Sequence, residues 1–495
     1  MPASVIMIQG TASHTGKSVL AAALCCIFAR RGLRVAPFKA QNLALNSYVT
    51  PEGGEIGRAQ AYQAAAAGIE PHVDMNPVLL KADAQHGCQV VLLGRPVAGM
   101  LPGADYAATV WPVVTAALDR LRARYDLVVI EGAGSPAEIN LRDQDIVNMR
   151  IARYAESPVL LVGDIERGGV FASLVGTTLL LPADERALIK AFIINKFHGD
   201  ARQLESGIAY LQDYTGIPTL GVLPFLADWR GDEEDVLGIT AQPREKRDAP
   251  LRIAVVRLPF ISNFTDFDAL ADEPDVDLCY AETPDALQNA DALILPGTKS
   301  TVDDLRWLRS TGMAEALLAR VNAGIPLIGI CGGYQMLGRR IRDPHWVESA
   351  QHEVDGLGLL DIETVFAGEK RTIRATGHTT GAALVDAGTP VSGYEIHMGQ
   401  STRAPGISPL LLLTDDTGVQ VSDGAVSPDG RICGTYLHGL FDSPDFRRGW
   451  LNRLRTQKGL PALPVQEGTI SDIDRMADHV AMHLDMTQLE RMIGL

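Results

Sequence analysis

Short apolar runs recur through residues 1–230, separated by longer stretches whose apolar positions fall at helical spacing. Val5–Gln9, Arg34–Phe38, Leu127–Glu131, Val159–Gly163, Ala191–Asn195 and Thr219–Leu223 read as strands. Several are apolar at consecutive positions, as in strands buried on both faces. Lys17–Arg31 has apolar faces, basic residues at its end and Gly32 beyond, so it reads as a helix with its stop signal. Strand and helix alternate. That order predicts right-handed βαβ units, hence an α/β fold with a parallel sheet covered by helices. The polar, charged, proline-bounded stretch 239–250 reads as a linker between domains at 1–238 and 251–444. Arg252–Leu258, Ala292–Leu295 and Pro326–Ile330 restart the pattern in a second α/β domain, richer in short strands after residue 355. Residues 445–495 read as a helical C-terminal segment.

Length and composition narrow the function classes. The chain has 495 residues, 46% hydrophobic and 21% charged, which excludes a disordered or fibrous protein. Its net charge of −16 gives no bulk attraction to nucleic acid or anionic lipid. No apolar run reaches the roughly 18 residues of a membrane span. Val5–Gln9 reads as a core strand and not as a signal peptide. Six scattered cysteines without a CxxC pair fit a reducing cytosol, and all but Cys331 read as buried thiols. Nothing in the pattern encodes an oligomeric state.

Gly10-Thr-Ala-Ser-His-Thr15-Gly16-Lys17-Ser18 lies between the first strand and the first helix. A phosphate-binding loop requires that context, because backbone N–H groups and a helix N-terminus hold the anion. Lys17 is expected to neutralise the outer phosphates of ATP, and Ser18 to ligate Mg²⁺. Glu131 ends a strand at the ligand-binding edge of such a sheet and is the second expected Mg²⁺ ligand. Lys39, at the end of the second strand, is placed to stabilise a transferring phosphoryl group. Asn195 ends the fifth strand, where its amide can read adenine. The loop has one residue more than the common form between Gly10 and Gly16. In this it resembles dethiobiotin synthetase and its relatives, in which ATP activates a carboxylate-type oxygen.

Ile330-Cys331-Gly332-Gly333 joins a strand to a helix and reads as the cysteine form of a nucleophile elbow. The helix N-terminus favours thiolate, and the Gly332 N–H points toward a developing oxyanion. Acyl transfer at a thiolate needs a base, and His438 ends a strand in the same domain. Gly297, after another strand, can offer a second oxyanion N–H. Gly393–Gly399 reads as a wall of the thiol pocket or as a turn with a satisfied histidine. His479 and His483, four apart, read as a solvated helix face and not as a metal pair.

Longer stretches carry a family resemblance. They include Phe38–Ser47, Glu52–Gln60, Asp74–Lys81, Glu138–Met149, Gly163–Gly169, Ile330–Leu337 and Tyr394–Gly399. Together these resemble the cobyric acid synthase family, over residues 5 to about 450. The resemblance implies a dethiobiotin synthetase-like ATPase domain followed by a class I glutamine amidotransferase-like domain. It implies a corrinoid and L-glutamine as substrates, with ATP and Mg²⁺ consumed or required at each of four amidations. Asp145 would then position Mg²⁺ or the substrate carboxylate. Asn42, Asn46, Arg58, Gln60 and Lys81 are the implied corrinoid-binding residues. Full-triad amidotransferases carry an acid two positions after the histidine, where this chain has Leu440. Cys331 and His438 therefore stand as a dyad, with Glu395 and Asp442 as candidates for orienting the imidazole. Two alternatives share parts of the pattern. A cobyrinic acid a,c-diamide synthase has both domain types but is disfavoured by the asparagine-rich segment after Lys39. A nucleotide-switched partitioning protein would need the loop but not the thiol elbow.

Overall fold

A computed structural model describes residues 2–83, 87–97, 99–103, 105–226, 246, 248–349, 351–382, 385–465 and 472–495. The expected linker at 239–250 lies outside the described residues, apart from Lys246 and 248–250.

The first sheet contains β1 (Ser4–Gly10), β2 (Val35–Phe38), β3 (Leu127–Glu131), β4 (Val159–Asp164), β5 (Ile189–Phe197) and β6 (Thr219–Pro224). Its order is β6-β5-β4-β1-β3-β2, and every pairing is parallel. All six expected strands are present, with ends shifted by two residues or fewer. Both faces are buried: Val5 and Met7 enter one core, Ile6 and Ile8 the other. Helix α1 (Lys17–Arg30) is buried almost without a break from Leu20 to Phe28. A helix that is apolar all round must be covered all round.

The second sheet is built from β7 (Leu251–Val256), β8 (Val276–Ala281), β9 (Ala292–Leu295) and β10 (Leu327–Ile330). Two long strands, β11 (Ile362–Thr379) and β12 (Pro390–Arg403), form an antiparallel layer outside it. The short β13 (Ala425–Val426) and β14 (Ile432–Thr435) then complete the order β8-β7-β9-β10-β14-β13. All its pairings are parallel except β13 with β14. Helix α2 (Gly332–Leu337) follows β10 directly.

The helical C-terminal segment is divided between the two domains. Helix α3 (Pro444–Gln457) sends Phe446, Trp450, Leu451 and Leu454 into the core of the second domain. Helices α4 (Asp472–His483) and α5 (Met486–Ile493) return to the first domain and supply the second cover of α1. Met476, Ala477, Val480 and Leu489 share a core with Leu20, Leu24 and Phe28. No helix among the described residues is long and apolar enough to cross a membrane.

An insertion after β2 reaches the second domain. Its hairpin pairs Ser47–Val49 with Glu55–Gly57. The Glu55 carboxylate accepts from Lys81 at 2.7 Å and from Lys370 of β11, across the domain seam. Burial opposes charge on Glu55, but the two lysines hold it well below the usual carboxylate range. Burial pushes Lys370 down to about 8, with Glu55 resisting and Lys81 assisting. Removing the one anion strands two buried ammonium groups. Glu55→Gln is expected to cost about 3 kcal/mol of stability, measured by calorimetric unfolding. A loss below about 1 kcal/mol would show the cluster to behave as a surface pair.

Candidate active sites of the two domains

The phosphate loop has the backbone its sequence requires. Gly16 has φ of +95°, and a Cβ there would meet Asn195 Nδ2 at 2.2 Å. Asn195 Nδ2 donates to Thr15 O at 2.8 Å, while its Oδ1 accepts from the Lys196 N–H at 2.9 Å. The Asn195 amide thus braces the loop. Lys17 Nζ donates to Ala12 O at 2.9 Å and to Gly134 O at 3.3 Å, so the ammonium is curled over the loop.

Glu131 is fully buried at the end of β3. Its Oε1 accepts from Ser18 Oγ at 2.7 Å and Lys39 Nζ at 3.1 Å, and its Oε2 accepts from Gln63 Nε2 at 2.6 Å. Burial opposes the charge, but Lys39, Ser18 and Gln63 keep its pKa lowered. Ser18 and Glu131 are therefore two adjoining hard oxygen donors, the set that Mg²⁺ prefers. Asp145 does not join them. Its Oδ1 accepts from the Val147 and Asn148 N–H groups and its Oδ2 from Arg150 N–H, which caps the helix at Met149–Ala155. Beside the loop lies a cavity of about 510 Å³, lined by Lys17, Ser18, Lys39, Asn42 and Asn195 among others. That falls in the range of roughly 300–1,000 Å³ usual for small-molecule sites.

The implied corrinoid-binding residues separate into two groups. Asn42 Nδ2 donates to Gln60 Oε1 at 3.1 Å, next to the cavity. Asn46, Arg58 and Lys81 lie on the seam instead. Asn46 Oδ1 accepts from Phe264 N–H at 3.0 Å, and Lys81 bonds Ser47 and Glu55. The Arg58 guanidinium lies 5.6 Å from the Tyr48 ring centre and 3.6 Å from Asp442.

Cys331 sits between β10 and α2 with φ of +52° and ψ of −110°. That strained backbone projects the sulfur, as an elbow requires. A Cβ on Gly333 would lie 2.0 Å from Leu295 O, so α2 is pressed against the end of β9. The loop after β9 therefore abuts the elbow. A Cβ on Gly332 would meet Thr298 Cγ2 at 2.6 Å, and one on Gly297 would meet His438 Cε1 at 3.0 Å. The Cys331 thiol is 6% exposed and donates to Ile396 O at 3.5 Å. Gly393–Gly399 is accordingly the wall facing the sulfur.

His438 has two side-chain partners, Cys331 and Asp266. Its Nδ1 lies 2.7 Å from Asp266 Oδ2, and both side chains are 1% exposed. Asp266 Oδ1 also accepts from the Gly439 N–H at 3.0 Å. Burial alone lowers the His438 pKa, but Asp266 and Cys331 raise it to about 10. The dyad of the sequence reading is thus a chain of three groups. The two acids expected to orient His438 are engaged elsewhere: Glu395 bonds Arg371 at 2.5 Å, and Asp442 faces Arg58. Asp266 lies 172 residues before His438, in a turn after β7 that carries no motif. Its acidic neighbour Asp268 and the surrounding Phe264 and Phe267 give no sequence signal that separates it from an ordinary helix start.

His479 and His483 depart from a solvated face. Both are half-buried, with ring centres 4.6 Å apart, and His479 lines the nucleotide-side cavity. Cys88 and Cys279 are half-buried and not buried, while Cys25, Cys26, Cys331 and Cys433 are buried. Burial pushes the Cys433 thiol up to about 12.

Comparison with known proteins agrees with both halves. Residues 6–235 match the CobQ/CobB/MinD/ParA nucleotide binding domain, and residues 252–446 match the CobB/CobQ-like glutamine amidotransferase domain. A cobyric acid synthase of Desulforudis audaxviator is 51% identical over 503 residues, covering 100% of each chain. That of Syntrophobacter fumaroxidans is 47% identical, covering 99% of this chain and 98% of the relative. That of Sorangium cellulosum is 49% identical, covering 100% and 99%. With such identity along the whole length, and with both sheet edges built as described, the chain belongs to the cobyric acid synthase family.

Proposed function

We propose that the chain amidates the b, d, e and g side-chain carboxylates of adenosylcobyrinic acid a,c-diamide, using ATP and glutamine at each step. The observation that carries this reading is the pairing of two buried centres in one chain: Ser18–Glu131–Lys39 on the first sheet and Cys331–His438–Asp266 on the second. A carboxylate resists displacement by ammonia because oxide is a poor leaving group. Transfer of the γ-phosphoryl group of ATP to a carboxylate oxygen gives an acyl phosphate and ADP. Ammonia then adds to the acyl carbon, and inorganic phosphate leaves. Lys17, Lys39 and the loop N–H groups stabilise the charge that spreads over the transferring group. Mg²⁺, held by Ser18 and Glu131, would neutralise phosphate oxygens.

Ammonia comes from glutamine. Cys331 Sγ attacks the side-chain amide carbon, and the N–H groups of Gly332 and Gly297 hold the resulting oxyanion. His438, its pKa raised by Asp266 and Cys331, already holds the thiol proton as imidazolium and delivers it to the departing nitrogen. Water then cleaves the thioester to glutamate, with His438 as the base. Asp266 keeps the imidazole in one tautomer and stabilises its charged form. Ammonia in bulk water becomes ammonium, which has no lone pair to attack with. The seam formed by Tyr48, Arg58 and Tyr394 supports an internal route between the two centres: Tyr394 stacks on His438 at 5.4 Å and meets Tyr48 at 5.2 Å with the rings tilted by 56°.

The full-length likeness to cobyric acid synthases favours this substrate over that of an a,c-diamide synthase. The thiol elbow has no use in a partitioning protein. Cys331→Ala is expected to abolish glutamine-dependent synthesis while added ammonium salt still supports ATP-dependent amidation, followed by mass spectrometry of the corrinoid. No product with ammonia would overturn the two-centre scheme. Lys17→Ala should reduce synthesis with either nitrogen donor; undiminished synthesis would move the nucleotide site elsewhere. Asp266→Asn should lower glutaminase kcat by roughly 10²–10⁴-fold. Losing that charge lowers the His438 pKa, so the alkaline limb of the glutaminase pH profile should shift to lower pH. A wild-type profile with wild-type kcat would remove Asp266 from the site.

A further inference from the structure

Two kinds of side chain line the cavity beside the phosphate loop. Lys17, Ser18 and Lys39 suit phosphates. Leu223, Phe225, Leu226, Met476 and Val480 are apolar, with His479 among them. An apolar set with a flat imidazole suits a planar base. Three of those six side chains belong to α4, which lies beyond both matched domains, since those end at residues 235 and 446.

Helix α4 is fixed there by several independent contacts. Arg30 of α1 bonds Asp474 and, at 2.7 Å, Asp478. Arg31 pairs with Glu490 of α5. Leu484 bridges to Gly221 of β6, and the Asp485 N–H donates to Leu220 O at 2.9 Å. His479 itself is tied to the strand end that forms the facing wall, with Nε2 3.0 Å from Pro224 O. Burial lowers its pKa, with Pro224 resisting and His483 assisting, so the ring is neutral at physiological pH. A neutral ring is compatible with an uncharged base and adds no attraction for phosphate. The Asn195 amide, by contrast, is already bonded to the loop and to its own neighbour.

We infer that α4 completes the nucleotide site, with His479 packing against the purine of ATP and Met476 and Val480 forming the apolar floor beneath it. The tail that leaves the amidotransferase domain thereby sets how tightly the other domain holds its nucleotide. This rests on the reading of residues 10–18 as the ATP loop.

The test is calorimetric binding of two probes, ATP and inorganic tripolyphosphate, to the full-length protein and to His479→Ala and His479→Phe. Loss of an aromatic contact to a base corresponds to roughly tenfold weaker binding. The expected result is that His479→Ala weakens ATP about tenfold with tripolyphosphate unchanged, and that His479→Phe recovers most of the ATP affinity. Equal weakening of both probes, or of neither, would overturn the inference. Failure of the underlying reading looks different: wild-type protein would then bind neither probe in a manner sensitive to Lys17→Ala.

Discussion

A single turn of chain, Ser262–Phe267, is bonded on both sides, and the relation between the two halves of the molecule depends on it. On one side Asn263 Oδ1 accepts from Ser47 N–H at 2.8 Å, and Phe264 N–H donates to Asn46. On the other, Asp266 holds the His438 ring and the Gly439 N–H. Only Thr265 therefore separates Phe264, in contact with the nucleotide-binding domain, from Asp266, in contact with His438. The turn is buried, so these polar groups have no water to fall back on, and leaving any of them unpaired costs about 1–3 kcal/mol. Displacement of the Asn46–Ser47 segment would pull on the turn that carries Asp266, whose own N–H donates to Asn263 O at 3.0 Å.

Both centres use one structural device. A parallel strand ends, the chain turns tightly, and a helix begins, so functional groups collect at the carboxyl edge of the sheet. At Gly16 the turn has a positive φ and lies against Asn195. At Cys331 a non-glycine residue has a positive φ, and the neighbouring glycines let α2 press on β9. The seam then packs Tyr394 between a tilted Tyr48 and a stacked His438, and the Glu55 carboxylate between Lys81 and Lys370 ties the same surfaces electrostatically.

What could be read from the residues alone is what is local. Six strands of the first sheet showed as apolar runs because both their faces are buried. The loop at 10–18 and the elbow at 331 showed because glycine placement, strand and helix are contiguous in sequence. Val276–Ala281 escaped because Asp277 interrupts its apolar run, as an edge strand permits. Asp266 escaped because the contact with His438 spans 172 residues and has no spacing rule. Glu395 and Asp442 were nearer in sequence, but each is neutralised by an arginine that only the fold brings to it. Asn46 and Lys81 were recognisable as polar groups in a family stretch, whereas their use at the seam depends on Phe264 and Glu55. His479 looked solvated because the helix it lies on is amphipathic; its half-buried place follows from α4 covering α1.

The most direct measurement of nitrogen passing between the two centres uses glutamine labelled with ¹⁵N in its side-chain amide, in the presence of excess unlabelled ammonium. An enclosed route predicts corrinoid amides that retain the ¹⁵N undiluted by the bulk pool. Isotope ratios matching the bulk ammonium would contradict it, because the nitrogen released at Cys331 would then have reached solvent before meeting the activated carboxylate.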